Sequence, residues 1–110
     1  MKKYFTFLIL LLSFGVSAAH EVSPKGTVDK LIAYARNGNG DIYVGLTENG
    51  TTCSNGYYID KASAGYESIL SLLLAAYQAN TQVTILADVS KRWSGSNHPV
   101  CEIYYVAYAR

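Results

Sequence analysis

Ser63-Ala64-Gly65-Tyr66-Glu67-Ser68-Ile69-Leu70-Ser71-Leu72-Leu73-Leu74-Ala75-Ala76-Tyr77-Gln78-Ala79-Asn80 is the one stretch of this chain with helical patterning. At about 100° per residue, Tyr66, Ile69, Leu72, Leu73 and Ala76 cluster with Leu70, Leu74 and Tyr77. Glu67, Ser68, Ser71 and Gln78 fill the remaining polar stripe. Ser63 is suited to cap the N-terminus. The apolar arc covers roughly 200°, whereas a surface helix on a monomer needs only about 100°. Such a helix is either sandwiched or shared with a neighbouring subunit. A small domain has little interior to sandwich it in, which favours sharing.

Strand-like runs lie on both sides of the helix. Val28 to Arg36 alternates, with Leu31, Ala33 and Ala35 on one face and Ile32, Tyr34 and Arg36 on the other. Asn37-Gly38-Asn39-Gly40 is a turn signal, and Asp41 to Thr47 follows with Ile42, Val44 and Leu46 facing the expected core. A polar loop carries Cys53, and Gly56 to Asp60 makes a short third strand. Beyond the helix, Gln82 to Val89 and Val100 to Ala109 read as the fourth and fifth strands. Between them, residues 91–99 form a polar loop with Trp93. The order β-β-β-α-β-β predicts a mainly β fold with one helix, a five-stranded OB-type Greek-key barrel, which is a surface-binding fold.

The start of the chain reads as an export signal. Lys2 and Lys3 precede an apolar run from Phe5 to Phe14, and Val16-Ser17-Ala18-Ala19 offers small residues to a signal peptidase. The run is shorter than the ~20 residues that span a bilayer. Residues 1–19 are therefore expected to be a signal peptide and 20–110 a single domain, secreted or periplasmic. Without Lys2 and Lys3, seven Lys and Arg face eight Asp and Glu, a net charge of −1. A chain so near neutral has no electrostatic footprint for nucleic acid, and no block of like charge for an anionic membrane.

Cys53 and Cys101 both lie in the exported part, where a disulfide is expected. With so long a loop, the bond would stabilise the fold by roughly 4 kcal/mol on the chain-entropy account. Two cysteines without a nearby His pair are a poor metal set, so no metal or cofactor is expected.

No catalytic constellation is visible either. His20 lies beside the cleavage point and His98 in a Gly/Ser/Asn/Pro loop. No carboxylate pair stands on one element, and no phosphate loop precedes the helix. The chain is read as non-enzymatic. What remains is aromatic: nine tyrosines and one tryptophan follow the leader. Tyrosine suits interfaces and sugar rings, and it also covers small cores. Trp93, flanked by Lys91, Arg92, Ser94 and Gly95, is harder to bury and is a candidate for ligand binding or for an interface. Asn49-Gly50-Thr51 matches a glycosylation sequon, relevant only in a eukaryotic secretory pathway.

Asp41-Ile42-Tyr43-Val44-Gly45-Leu46-Thr47, the cysteine-bearing loop, Tyr66-Glu67-Ser68-Ile69-Leu70-Ser71-Leu72-Leu73, Gln82-Val83-Thr84-Ile85 and Trp93 together resemble the B subunits of subtilase cytotoxin and typhoid toxin. The similarity covers most of the exported part. The chain also resembles a broader group of small exported bacterial proteins with a Trp-Ser-Gly-Ser segment and a late cysteine. The toxin resemblance implies a ring pentamer of OB-type domains that binds sialylated host glycans and carries an enzymatic subunit. It implies Ser23, ahead of the first strand, as a ligand to a sugar carboxylate, and Glu48, at the end of the second strand, as a polar contact. Ile85 stands where the family has an aromatic hydroxyl, and Cys101 falls later than the family's cysteine. The alternative reading is a periplasmic or secreted protein-interaction domain that binds no sugar.

Overall fold

The computed structural model describes residues 19–110, so the predicted leader, up to residue 18, lies outside the described residues. The elements are β1 His20–Val22, β2 Val28–Ala33, β3 Ile42–Leu46, β4 Tyr57–Ile59, α1 Tyr66–Ala79, β5 Thr84–Arg92 and β6 Cys101–Ala107. All six strands join one sheet in the order β1-β5-β6-β4-β3-β2. Neighbours are antiparallel except β4 and β6, which run parallel. The fold is mainly β with one helix, as expected, but the described residues form six strands rather than five.

The added strand is β1, directly after the expected cleavage point. Three residues have little strand stability of their own. Glu21 supplies an anchor: its carboxylate accepts from Thr51 Oγ1 (3.1 Å), Thr52 N (2.8 Å) and Cys53 N (3.0 Å). Ser23 adds a second, exchanging backbone and side-chain bonds with Ile85 on β5. The sheet is not closed, because β1 and β2 stand at opposite edges. They are nonetheless consecutive in the chain. Between them Gly26 bridges Val83 near β5, and the Thr27 carbonyl accepts from Thr47 N beyond β3.

The core lies on one face of the sheet. Ile42, Val44 and Leu46 are buried there, as the alternation predicts, with Tyr57, Ile59, Val83, Ile85, Ile103 and Val106. The helix covers this face with Leu73 and Ala76, while Leu72, Leu74 and Tyr77 remain exposed. It is therefore not sandwiched. It begins later than expected: Gly65 occupies the cap position, and the Ser63 hydroxyl instead donates to the Asp60 carbonyl (2.7 Å). Asn80 ends it in the left-handed conformation, with Thr81 N donating to Ala76 O. Cys53 and Cys101 are joined by a disulfide, with Cα atoms 5.6 Å apart. That bond ties the loop before β4 to the first residue of β6.

Candidate functional site

The sheet's register places one row of side chains across all six strands, alternating with the buried core residues. From edge to edge it reads Ile32, Tyr43, Tyr58, Glu102, Asp88 and His20. Sequence reading finds no carboxylate pair on a single element, and Asp88 and Glu102 meet only through strand pairing. Each half of the row borders a cavity.

The cavity at the β2–β3 end has a volume of about 270 Å³ and is lined by Lys30, Tyr34, Tyr43, Asn55, Trp93 and Ser96 among others. Trp93 forms its wall. Contrary to the expected loop exposure, Trp93 is only 4% exposed. The β2–β3 turn and the β5–β6 loop make room for it. A Cβ on Gly38 would overlap the indole, and one on Gly95 would lie 2.6 Å from it. Gly38 also takes a φ of +61°, which only glycine adopts without cost. Trp93 Nε1 donates to Asp41 Oδ2 (3.2 Å), and Lys61 N donates to Oδ1 of the same buried carboxylate (2.8 Å). Tyr43 and Tyr58 stack on the indole at 6.1 and 6.0 Å, and Tyr34 tilts against it at 5.6 Å. Asn37 Nδ2 donates to Gly95 O (3.2 Å), linking the two loops. The result is a preformed aromatic cleft with a lysine, an amide and a hydroxyl at its rim.

Burial drives the tyrosines' ionisation upward. Tyr58 is pushed up to about 12 by burial and then by the charges of Glu102, Asp60 and Asp41. Tyr43 is also raised, by burial and then by Tyr34 and Asp29. Both are neutral hydroxyls over the physiological range. Tyr43 donates to the Asn55 carbonyl (2.5 Å) on the cavity wall.

The second cavity, about 350 Å³, lies between the start of the helix and the β1–β5–β6 half of the sheet, with His20, Ser63, Asp88, Lys91, Glu102 and Tyr104 on its walls. Its two carboxylates titrate in opposite directions. The Ser90 hydroxyl and N–H hold Asp88 below the ordinary range, and His20 and Lys91 act in the same sense. Burial raises Glu102, as do Asp60, Asp88 and Asp41, against the opposing pull of Lys91. Lys91 Nζ stands 4.0 Å from Glu102, with the lysine largely in solvent and the carboxylate half-buried.

The sequence candidates do not converge. Ser23 is buried, its hydroxyl accepting from Ile85 N (2.9 Å) and donating to Pro24 O (2.9 Å). Glu48 is exposed just beyond β3 and lines neither cavity. Only Trp93 reaches a cavity. Its partners Lys30, Tyr34, Tyr43 and Asn55 escape sequence reading because strand register and the loop contacts bring them together. Among the described residues, no group of three His, Cys, Asp or Glu side chains is placed to hold a metal, and no helix is long and apolar enough to cross a membrane. No protein-family model and no curated protein matches the chain.

Proposed function

We propose that this chain is an exported, non-enzymatic binding subunit that recognises glycans in the aromatic cleft beside Trp93. The observation that carries this reading is the lining itself. Tyr34 and Tyr43 offer ring faces, and Lys30, Asn55 and Ser96 offer hydrogen-bonding groups, in a space of about 270 Å³ on the outer sheet face. Sugar rings need such a pairing of flat apolar surface with nearby polar groups. Trp93 acts as the rigid backing, with Tyr34 the exposed platform.

The sheet order supports an OB-type arrangement. Residues 20–26 follow β5 and residues 28–33 follow β3. One bent strand, serving both edges, would make the sheet a barrel of five strands with a parallel closing pair. In that fold the ligand face and the loops flanking it are where this cleft lies. Exposed Leu72, Leu74 and Tyr77 on the helix support a homo-oligomer, a pentamer if the toxin resemblance holds, with a host glycan and an enzymatic subunit as partners. The same exposed residues favour the second reading, a secreted or periplasmic protein-interaction domain without sugar binding.

A glycan array on the mature protein, paired with its mass in solution, tests both. Binding that Tyr34→Ala reduces by about tenfold or more supports the cleft, since loss of one stacked ring removes on the order of 1–3 kcal/mol. No binding across sialylated and neutral glycans overturns the glycan reading. A monomeric mass overturns the oligomer.

A further inference from the structure

The chain contains four Asn-Gly dipeptides: Asn37-Gly38, Asn39-Gly40, Asn49-Gly50 and Asn55-Gly56. In such a pair the glycine nitrogen, unshielded by a side chain, can attack the asparagine amide carbon. The fold guards three of them. Asn49 Oδ1 accepts from Leu46 N (3.0 Å), its Nδ2 donates to Ser54 O, and buried Gly50 N donates to the Tyr57 hydroxyl (2.9 Å). Gly56 is buried, and its N donates to Cys53 O (3.1 Å) inside the disulfide-tied loop. Asn37 is held by Gly95 O, and Gly38 is pressed against the Trp93 ring.

Asn39 has no such anchor among the described residues. It is exposed at the tip of the β2–β3 turn, in the left-handed conformation (φ 66°, ψ 22°). In that conformation its side-chain carbon does not face the Gly40 nitrogen, so reaction waits on local opening of the tip. Opening there is cheap: the bond that closes the turn, Asp41 N to Gly38 O, is long at 3.3 Å, and the surrounding residues are largely exposed. Opening the loops around Asn49 or Asn55 would break buried bonds next to the disulfide.

We propose that Asn39-Gly40 is a site of spontaneous deamidation that loosens the aromatic cleft as the protein ages. The Gly40 nitrogen bonds to the Asn39 side-chain carbon and loses its proton, ammonia leaves, and a cyclic imide forms. Water then opens the imide at either carbonyl, giving aspartate or isoaspartate at position 39. One water enters, one ammonia departs, and no electrons are exchanged with another reagent. Isoaspartate inserts a methylene into the main chain of the turn that holds Gly38 against Trp93, so the indole loses that wall.

The test uses the folded, disulfide-bonded chain held at mildly alkaline pH. Peptide mapping by mass spectrometry locates each amide-to-acid conversion, and Trp93 emission, from the only tryptophan, is read in the same samples. Position 39 is expected to convert first, with positions 49 and 55 slower by about tenfold or more because their opening is costlier. In the reduced, denatured chain all four should convert at similar rates. Trp93 emission should move to the red in step with conversion at position 39, and Asn39→Gly, which keeps the left-handed turn, should abolish both changes. Conversion of the folded chain at all four sites at denatured rates, or none at position 39, overturns the assignment. Conversion at 39 with unchanged Trp93 emission overturns its link to the cleft.

Discussion

In the β2–β3–β4 half of the sheet the outward row carries Ile32, Tyr43 and Tyr58, whereas in the β6–β5–β1 half the same row continues as Glu102, Asp88 and His20. The first half is covered and the second is open. Aromatic area gains by leaving water, so the loop bearing Trp93 folds over it. Carboxylates lose by leaving water, so Asp88 and Glu102 stay only half-buried beside the second cavity. One strand register thus produces a pre-shaped aromatic cleft at one end and a half-buried charge cluster at the other. Tyr58 and Glu102 meet at the seam, where burial and then the nearby carboxylates Asp60, Asp41 and Asp88 raise both.

The comparison breaks most visibly at Trp93. Trp93→Ala should cost about 3–5 kcal/mol in urea unfolding, from lost packing and the cavity left behind. Part of that cost is the orphaned Asp41 oxygen, a buried acceptor with no other donor. A loss under about 1 kcal/mol would mean that the indole is not the clasp of the covered half. Gly38→Ala should come next, at about 1–3 kcal/mol, because it combines a left-handed backbone with a collision against the same ring.

How much of this was readable beforehand divides along the same line. The helix, the core face of β3 and the short β4 follow from local signals, and the disulfide from there being two cysteines in an exported chain. Ile42, Val44 and Leu46 alternate, and the helix carries its own period. β1 was not legible, because its three residues are held by a distant loop through Glu21 rather than by propensity. Burial of Trp93 was not legible either. Two glycines, 57 positions apart in the chain, leave the slot it fills, and only the folded register shows that they face one ring. Nothing local pairs Asp88 with Glu102, since they stand fourteen positions apart in the chain.

Acid and alkali sharpen the contrast. For Glu21, partial burial raises the pKa, but the N–H groups of Thr52 and Cys53 and the Thr51 hydroxyl outweigh it, so the folded value lies below the ordinary 4.5. Its contribution is present above that value and lost as pH falls through the lower folded one. Glu21→Gln should therefore flatten the acid limb of a stability–pH curve. Tyr58 has the opposite sense at the other end: its neutral form is favoured in the fold, so stability present below pH 10 is lost as pH rises towards about 12. An ultraviolet titration should show Tyr43, Tyr57 and Tyr58 lagging the exposed tyrosines, with Tyr58 the last to ionise, and Tyr58→Phe should remove that last step. A titration in which the tyrosines ionise together near pH 10 would place Tyr58 in water and dissolve the distinction between the halves.

The smallest effects belong to the open half. Glu102 is raised, so its protonated form is the one the fold prefers. Its favourable contribution is complete below pH 4.5 and declines as pH climbs through its folded value. Glu102→Gln should then be neutral or slightly stabilising at pH 7, the reverse of Glu21→Gln. Lys91 relieves that carboxylate only from 4.0 Å and with most of its side chain in water. Lys91→Ala should change stability by no more than about 0.5 kcal/mol, and salt should erase the difference. A larger, salt-resistant loss would mean that the charges of this half are desolvated and locked like the aromatic end, and the row would then be one continuous buried surface rather than two.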